Sequence, residues 1–212
     1  MPESLRLFIG IDVGDAWTER LTAAVDSLRD DLGRTVRWVR PELYHVTVVF
    51  LGNQPPEAVA AIGEALASAA SGLQPFTLRL TELRRLGAHE HGALVAGVAD
   101  PASQLQTFRA ALDAELRQHR IAFDSKRLVP HVTLGRPRGR SGPVPLASVD
   151  LRDVPPLTVR TINLVKSDLL PTGPRYEAVA TAHLGTARAG GAGLATLRSV
   201  ARLGPRATRR SP

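Results

Sequence analysis

The 212-residue chain is 43% hydrophobic, which predicts a packed globular protein rather than a disordered one. It contains no cysteine, which excludes disulfides, iron–sulfur clusters and thiolate metal sites, so any metal would need histidine and carboxylate ligands. No apolar run approaches the roughly 20 residues of a membrane helix, and the first residues lack the basic region of a signal peptide. We therefore expect a cytoplasmic protein.

The net charge of +7 is unevenly distributed along the chain. Six arginines and no acidic residue lie in residues 186–212, so residues 1–185 are almost neutral. This pattern predicts one folded domain over residues 1–185, followed by a basic Gly/Ala/Arg-rich tail over 186–212 that is disordered. The charge is therefore not an indication of a basic, nucleic-acid-binding domain.

Hydrophobic periodicity and turn residues predict three helices and eight strands. The predicted strands cover 5–13, 35–40, 44–51, 76–83, 92–99, the segment around residue 131, 157–167 and 175–184, and the predicted helices cover 16–32, 55–72 and 102–120. Strands and helices do not alternate as βαβ units, so the pattern favours an α+β fold over a doubly wound sheet.

The tripeptide His-Val-Thr occurs twice, at 45–47 and at 131–133, each time in an apolar strand that follows a helix. This doubling predicts two pseudo-symmetric lobes, each an antiparallel sheet with helices packed outside, and an active-site cleft between them. Because side chains alternate along a strand, each histidine shares a face with its threonine. The same alternation places Phe50 and Leu134 in the core and Val49 on the face of the first histidine.

Two histidines facing one cleft are suited to acid–base chemistry on a phosphodiester, because imidazole gives or takes a proton near neutral pH. Thr47 and Thr133 would then hydrogen-bond the non-bridging oxygens, and Arg136 would counter their charge. Arg136 lies five residues after His131, so Gly135 must end or bulge the strand to turn it inward. A zinc site with His45 and His131 as ligands is the alternative, although neither motif supplies a third ligand.

Longer stretches around both motifs resemble a known family. "RPELYHVTVVFLG" contains HVTV at 45–48, "VPHVTLGR" contains HVTL at 131–134, and "LVKSDLLPTGPRYEAVATAHL" is similar to a closing hairpin of the same family. The chain thus resembles the 2H phosphoesterases, and among them the bacterial and archaeal RNA 2′,3′-cyclic phosphodiesterases, also called 2′-5′ RNA ligases. The resemblance covers about residues 5 to 184.

The resemblance implies a bilobal α+β fold that opens RNA 2′,3′-cyclic phosphate ends to 2′-phosphates without metal or nucleotide cofactor. Some members also join such an end to a 5′-hydroxyl as a 2′-5′ linkage. By position, His45 would be the general acid that protonates O3′ and His131 the general base, and reversing the reaction would exchange these roles. Thr47, Thr133 and Arg136 would hold the phosphate. We expect a monomer with no obligate protein partner and with RNA as its substrate.

Departures from the family concern base recognition. Many members have an aromatic residue in the loop where this chain has His89, and a tryptophan is common where it has Val95. His89 is therefore a candidate base contact, because imidazole can stack on a base. His119 is predicted to be structural, and His183 is predicted to be a packing or surface residue.

Two other functions remain open from the residues alone. One is hydrolysis of another cyclic phosphate, such as an ADP-ribose cyclic phosphate or a 2′,3′-cyclic mononucleotide, because the motifs address the phosphate and not what it carries. The other is a non-catalytic module that binds RNA ends, although both histidines, both threonines and the arginine are intact.

Overall fold

The fold was determined from a computed structural model, which describes residues 4–32, 35–87, 92–138, 149 and 151–185. The predicted tail, residues 186–212, and the candidate base contact His89 lie outside the described residues.

Nine strands and three helices follow one another in the described parts of the chain. The strands are β1 (Leu5–Asp12), β2 (Val36–Trp38), β3 (His45–Gln54), β4 (Phe76–Leu86), β5 (Ala93–Ala99), β6 (His131–Pro137), β7 (Leu157–Val159), β8 (Thr161–Leu170) and β9 (Gly173–His183), and the helices are α1 (Gly14–Leu32), α2 (Ala58–Ala70) and α3 (Gln104–Gln118). The strand predicted over 157–167 is in fact two strands, β7 and β8, separated at Arg160.

The strands form one curled antiparallel sheet in the order β7-β4-β5-β6-β3-β1-β8-β9, with β2 added beside β6. The predicted α+β class is confirmed. The two predicted lobes are two halves of this continuous sheet, joined where Val46 of β3 lies opposite Val132 of β6. We call β3-β1-β8-β9 the first half-sheet and β6-β5-β4-β7 the second half-sheet. The motif strands β3 and β6 are thus neighbours at the centre.

The helix that leads into each motif packs against the half-sheet of the other motif. Leu28 and Leu32 of α1, which leads to β3, cluster with Val36 and with Leu94 of β5. Helix α3 leads to β6, yet its Arg109 bonds to β3. Helix α2 contacts α3, β8 and β9. The helices therefore cover one face of the sheet and leave the opposite face of β3 and β6 for the cleft.

Helix α3 shows how local sequence determines an element. Its buried face is an apolar stripe that consists of Leu105, Phe108, Leu112 and Leu116. At its start the Asp100 carboxylate accepts hydrogen bonds from the backbone N–H groups of Gln104 (3.1 Å) and Leu105 (2.9 Å). Those N–H groups have no partner within the helix, so the carboxylate defines where the helix begins.

Candidate active site

Each motif strand carries a β-bulge at the same position of its motif. In β3, Gly10 pairs with Thr47 and Ile9 with Val49, so Val48 is an extra residue. In β6, Val95 pairs with Thr133 and Leu94 with Gly135, so Leu134 is extra. A bulge of this kind reverses the faces of the residues that follow it. The fourth residue of each His-Val-Thr-x motif therefore changes the strand's alternation.

The bulges explain why the prediction for Phe50 is wrong, and they supply the inward turn that the prediction for Arg136 requires. Regular alternation predicts Phe50 in the core and Val49 on the histidine face, but Val49 is buried and Phe50, opposite Phe8, is 48% exposed. The equivalent residue of β6, Arg136, is turned toward the face of His131 by the same device. The strand does not end at Gly135, and the bulge lies one residue earlier than that glycine.

Gly135 is needed for a different reason. A Cβ atom at this position would lie 2.6 Å from Val36 Cγ1 and 3.0 Å from Trp38 Cε3, both in the adjoining strand β2. These separations are too short for van der Waals contact. The glycine therefore allows β2 to pack closely against β6.

The two histidines are held in the same way. His45 Nδ1 lies 2.7 Å from the carbonyl oxygen of Leu43, and His131 Nδ1 lies 2.7 Å from that of Val129. Because a carbonyl only accepts, each Nδ1 must carry the hydrogen. The other nitrogen, Nε2, is then a base when the ring is neutral and an acid when it is charged. Thr47 and Thr133 are half-buried on the same faces.

The surroundings of His45 include a carboxylate that the sequence analysis missed. Burial lowers the pKa of His45, while its bond to Leu43 and the negative charge of Asp12 oppose that shift. Asp12 lies opposite His45 in the β1–β3 ladder. Asn163 Nδ2 donates to Asp12 Oδ2 at 3.0 Å, and Thr181 donates to Asn163 Oδ1 at 2.8 Å. Loss of solvent around its carboxylate raises the pKa of Asp12, an effect that the His45 charge opposes.

Two arginines act on His131, and one of them, Arg84, is paired with Glu82 at 3.6 Å. Burial lowers the pKa of His131, its bond to Val129 opposes this, and the charges of Arg84 and Arg136 lower it further. Arg84 is also absent from the sequence prediction. Gly97 lies opposite His131, and a Cβ on that glycine would be 3.5 Å from Arg84 Nε. The Arg84 guanidinium therefore lies on the cleft face of the second half-sheet.

The two histidines also affect each other, because the charge of His131 lowers the pKa of His45.

An aromatic wall lies beside His45. The His45 ring lies 4.8 Å from Phe8 and 5.2 Å from Tyr176, measured between centroids, and the Tyr176 ring is perpendicular to it. Phe50 extends this wall at 6.2 Å from Phe8. The wall offers apolar and aromatic surface next to His45.

The remaining predicted histidines lie at the ends of elements. His119 is the C-cap residue of α3, and His183 is the last residue of β9. Val95 is buried in β5 and lies opposite Thr133.

Arg109, which the sequence analysis missed, is a buried cation that connects the first motif strand to the segment before the second. It is only 7% exposed and pairs with Asp113 through an Nε–Oδ1 contact of 2.6 Å. Its Nη1 donates to the carbonyl of Val48, the bulge residue of β3, at 2.7 Å. Its Nη2 donates to the carbonyl of Asp124, in the segment leading to β6, at 2.8 Å. The i,i+4 Arg–Asp pair on an otherwise apolar helix face was the available signal.

The described residues include no group of three histidine, aspartate or glutamate side chains arranged to hold a metal ion. In the same residues no helix has the length and hydropathy to cross a membrane.

Comparison with known proteins agrees with this arrangement. The family described as "LigT like Phosphoesterase" matches residues 11–92. A protein of Aeropyrum pernix named RNA 2′,3′-cyclic phosphodiesterase is 30% identical over 161 residues, 71% of this chain and 89% of the relative. One of the same name from Geobacillus stearothermophilus is 31% identical over 148 residues, 68% of this chain, and the chain spans only 46% of that relative's length.

Among solved structures, the crystal structure of TT0787 of Thermus thermophilus has a TM-score of 0.69 at 25% identity, covering 85% of this chain and 98% of the other. The curled sheet and the paired His-x-Thr-x strands are those of the 2H phosphoesterase superfamily. Within that superfamily the chain belongs to the LigT-like phosphoesterases.

Proposed function

We propose that the protein hydrolyses RNA 2′,3′-cyclic phosphate ends to 2′-phosphates by two-histidine acid–base catalysis. The observation that carries the proposal is the matched pair of imidazoles, His45 and His131, each with Nδ1 on a backbone carbonyl. Neighbouring charges of opposite sign distinguish the two rings. The names of the relatives, RNA 2′,3′-cyclic phosphodiesterase, support RNA as the substrate.

In this mechanism neutral His131 takes a proton from water as the water oxygen forms a bond to phosphorus. The P–O3′ bond breaks on the opposite side, and protonated His45 gives its proton to O3′. The products are a 2′-phosphate and a free 3′-hydroxyl, and solvent resets both rings. Asp12 favours the charged form of His45, whereas Arg84 and Arg136 favour the neutral form of His131.

The phosphate itself would be held by hydroxyls and a guanidinium. Thr47 and Thr133 would donate to its non-bridging oxygens, and Arg136 would balance the charge that develops on them. An RNA 5′-hydroxyl in place of water would give a 2′-5′ linkage by the same steps. Because these groups address only the phosphate, other cyclic phosphates are the competing substrates.

The test uses a short RNA with a 2′,3′-cyclic phosphate end, purified protein and excess EDTA, followed by determination of the phosphate position in the product. We expect a 2′-phosphate at an undiminished rate. His45→Ala and His131→Ala should each reduce the rate by roughly 10²- to 10⁴-fold, while His119→Ala, at the end of α3, should not. Activity that disappears in EDTA and returns with metal would contradict this mechanism.

A further inference from the structure

A second cavity lies at the far end of the first half-sheet. It has a volume of about 520 Å³, which is within the usual range for sites that bind small molecules. We call it the hairpin pocket, because the β8–β9 turn forms one side of it. Its lining includes Arg6, Asn53, Ser167, Leu169, Leu170 and Arg175.

The lining combines positive charge with exposed apolar surface. Arg6 and Arg175 are both exposed. The acidic lining residue, Asp168, pairs with Lys166 at 3.1 Å. Leu169 and Leu170 are 70% and 47% exposed, which is unusual for leucine. Cations beside apolar surface suit a ligand that carries both a phosphate and a base, rather than a simple anion.

Tyr176 connects the hairpin pocket to the active site. It pairs with Ser167, a pocket residue that is only 8% exposed, across the β8–β9 ladder. Its ring meets the His45 ring at 5.2 Å. Burial raises the pKa of the Tyr176 hydroxyl, and the charges of Arg6 and Arg136 both lower it. The charges of a pocket cation and of an active-site cation thus both act on this tyrosine.

The chemistry of the active site determines which part of a substrate points toward the pocket. The bond that forms and the bond that breaks lie on opposite sides of phosphorus. His45 protonates O3′, so the terminal ribose lies on the side of the first half-sheet. The His45 ring lies 4.8 Å from the Phe8 ring between centroids, and Arg6 lies two residues beyond Phe8 along β1, which is roughly 7 Å at about 3.3 Å per residue. These distances place the pocket alongside the terminal nucleotide and within reach of the next one.

We propose that the hairpin pocket binds the nucleotide immediately 5′ to the cyclic-phosphate end, with Arg6 and Arg175 at the phosphate that joins the two nucleotides. The inference rests on the proposed function. It specifies the substrate class as an oligoribonucleotide in preference to a cyclic mononucleotide, a choice that the motifs themselves leave open.

The experiment compares kcat/KM for a 2′,3′-cyclic mononucleotide with that for a dinucleotide carrying the same end. The wild-type protein should favour the dinucleotide. In the double variant Arg6→Gln/Arg175→Gln, the ratio of the two kcat/KM values should fall roughly tenfold, as expected for loss of charge-assisted phosphate contacts. The matched control is Arg160→Gln, an exposed arginine at the other end of β8, which should retain the wild-type ratio.

A second measurement needs no variant. A dinucleotide whose internal linkage is an uncharged methylphosphonate, with a 2′-O-methyl group on the upstream ribose, should lose the advantage over the mononucleotide. The control dinucleotide carries the 2′-O-methyl group and a normal phosphate, and it should keep that advantage.

The outcomes separate this inference from the proposed function. If the wild-type protein opens neither substrate, the proposed function is wrong. If it opens both and the arginine variants change the ratio no more than Arg160→Gln does, the function stands and the pocket assignment is wrong. Equal losses on both substrates would also contradict the assignment, because the effect would then belong to the terminal nucleotide.

Discussion

Replacing Arg109 by methionine should both destabilise the protein and impair catalysis. The substitution keeps an unbranched side chain of similar length and removes the guanidinium. It leaves the carbonyls of Val48 and Asp124 without their donor, together with the Asp113 carboxylate. Each of these partners lies at 2.6 to 2.8 Å from a nitrogen of Arg109 in the wild-type protein.

The expected loss of stability follows from these contacts. A buried polar group left without a partner costs about 1–3 kcal/mol, and removing one member of a buried ion pair costs about 3–5 kcal/mol. Arg109 is 8% exposed at its side chain but Asp113 is 18% exposed, so water partly solvates the abandoned carboxylate. We therefore expect a loss of about 4 kcal/mol, a large fraction of the ~5–15 kcal/mol that stabilises a typical protein.

The assay is urea unfolding of the purified variants, with kcat measured at a temperature where each remains folded. Because Val48 is the bulge residue of β3, kcat should fall even in the folded Arg109→Met protein. The matched control is Arg117→Met on the same helix, an exposed residue whose guanidinium lies 5.3 Å from the Phe123 ring centroid, and it should lose less than about 1 kcal/mol. A normal kcat in folded Arg109→Met would refute the positioning role, and a loss below about 1 kcal/mol would refute the energetic reasoning.

Two further substitutions test the site and its scaffold. Asp12→Asn removes a negative charge that favours protonated His45, so the pKa of His45 should fall and the alkaline limb of the kcat–pH profile should move to lower pH; an unmoved limb would mean that Asp12 does not act on the acid. Gly135→Ala forces a Cβ to within 2.6 Å of Val36 and should reduce the free energy of unfolding by about 1–3 kcal/mol in urea. The control Gly63→Ala, whose Cβ would have an ordinary 3.8 Å contact, should not destabilise the protein.

Secondary structure and fold class were predictable because each helix and strand has its own periodic pattern. The apolar stripe of α3 and the Asp100 carboxylate at its start lie within one short segment. Such patterns depend on neighbouring residues alone, so the sequence shows them and the fold agrees with them. The bulges at Val48 and Leu134 lack any local signal, since HVTV and HVTL read as regular alternation. The sequence analysis predicted that Arg136 faces inward because the proposed chemistry requires a cation there. No such requirement applied to Phe50, so regular alternation placed it in the core.

The residues that sequence analysis missed depend on contacts between distant segments. Asp12 lies opposite His45 only because β1 and β3 pair in one particular register. Arg84 lies near His131 because β4 and β5 extend the second half-sheet beyond β6. Each is a single charged residue on an ordinary strand, so neither could be recognised as a site residue before the strand order was known.

The symmetry of the two motifs makes these neighbours chemically necessary. Both histidines start a strand, both use Nδ1 to bond the carbonyl two residues earlier, and both strands bulge at the same place. Two identical imidazoles would titrate alike, so a pair in opposite protonation states would be only one of several populated forms. A carboxylate from β1 beside one ring and arginines beside the other favour one arrangement. In the proposed mechanism, the repeated motif thus supplies two equivalent proton carriers, and residues outside the motif give them different roles.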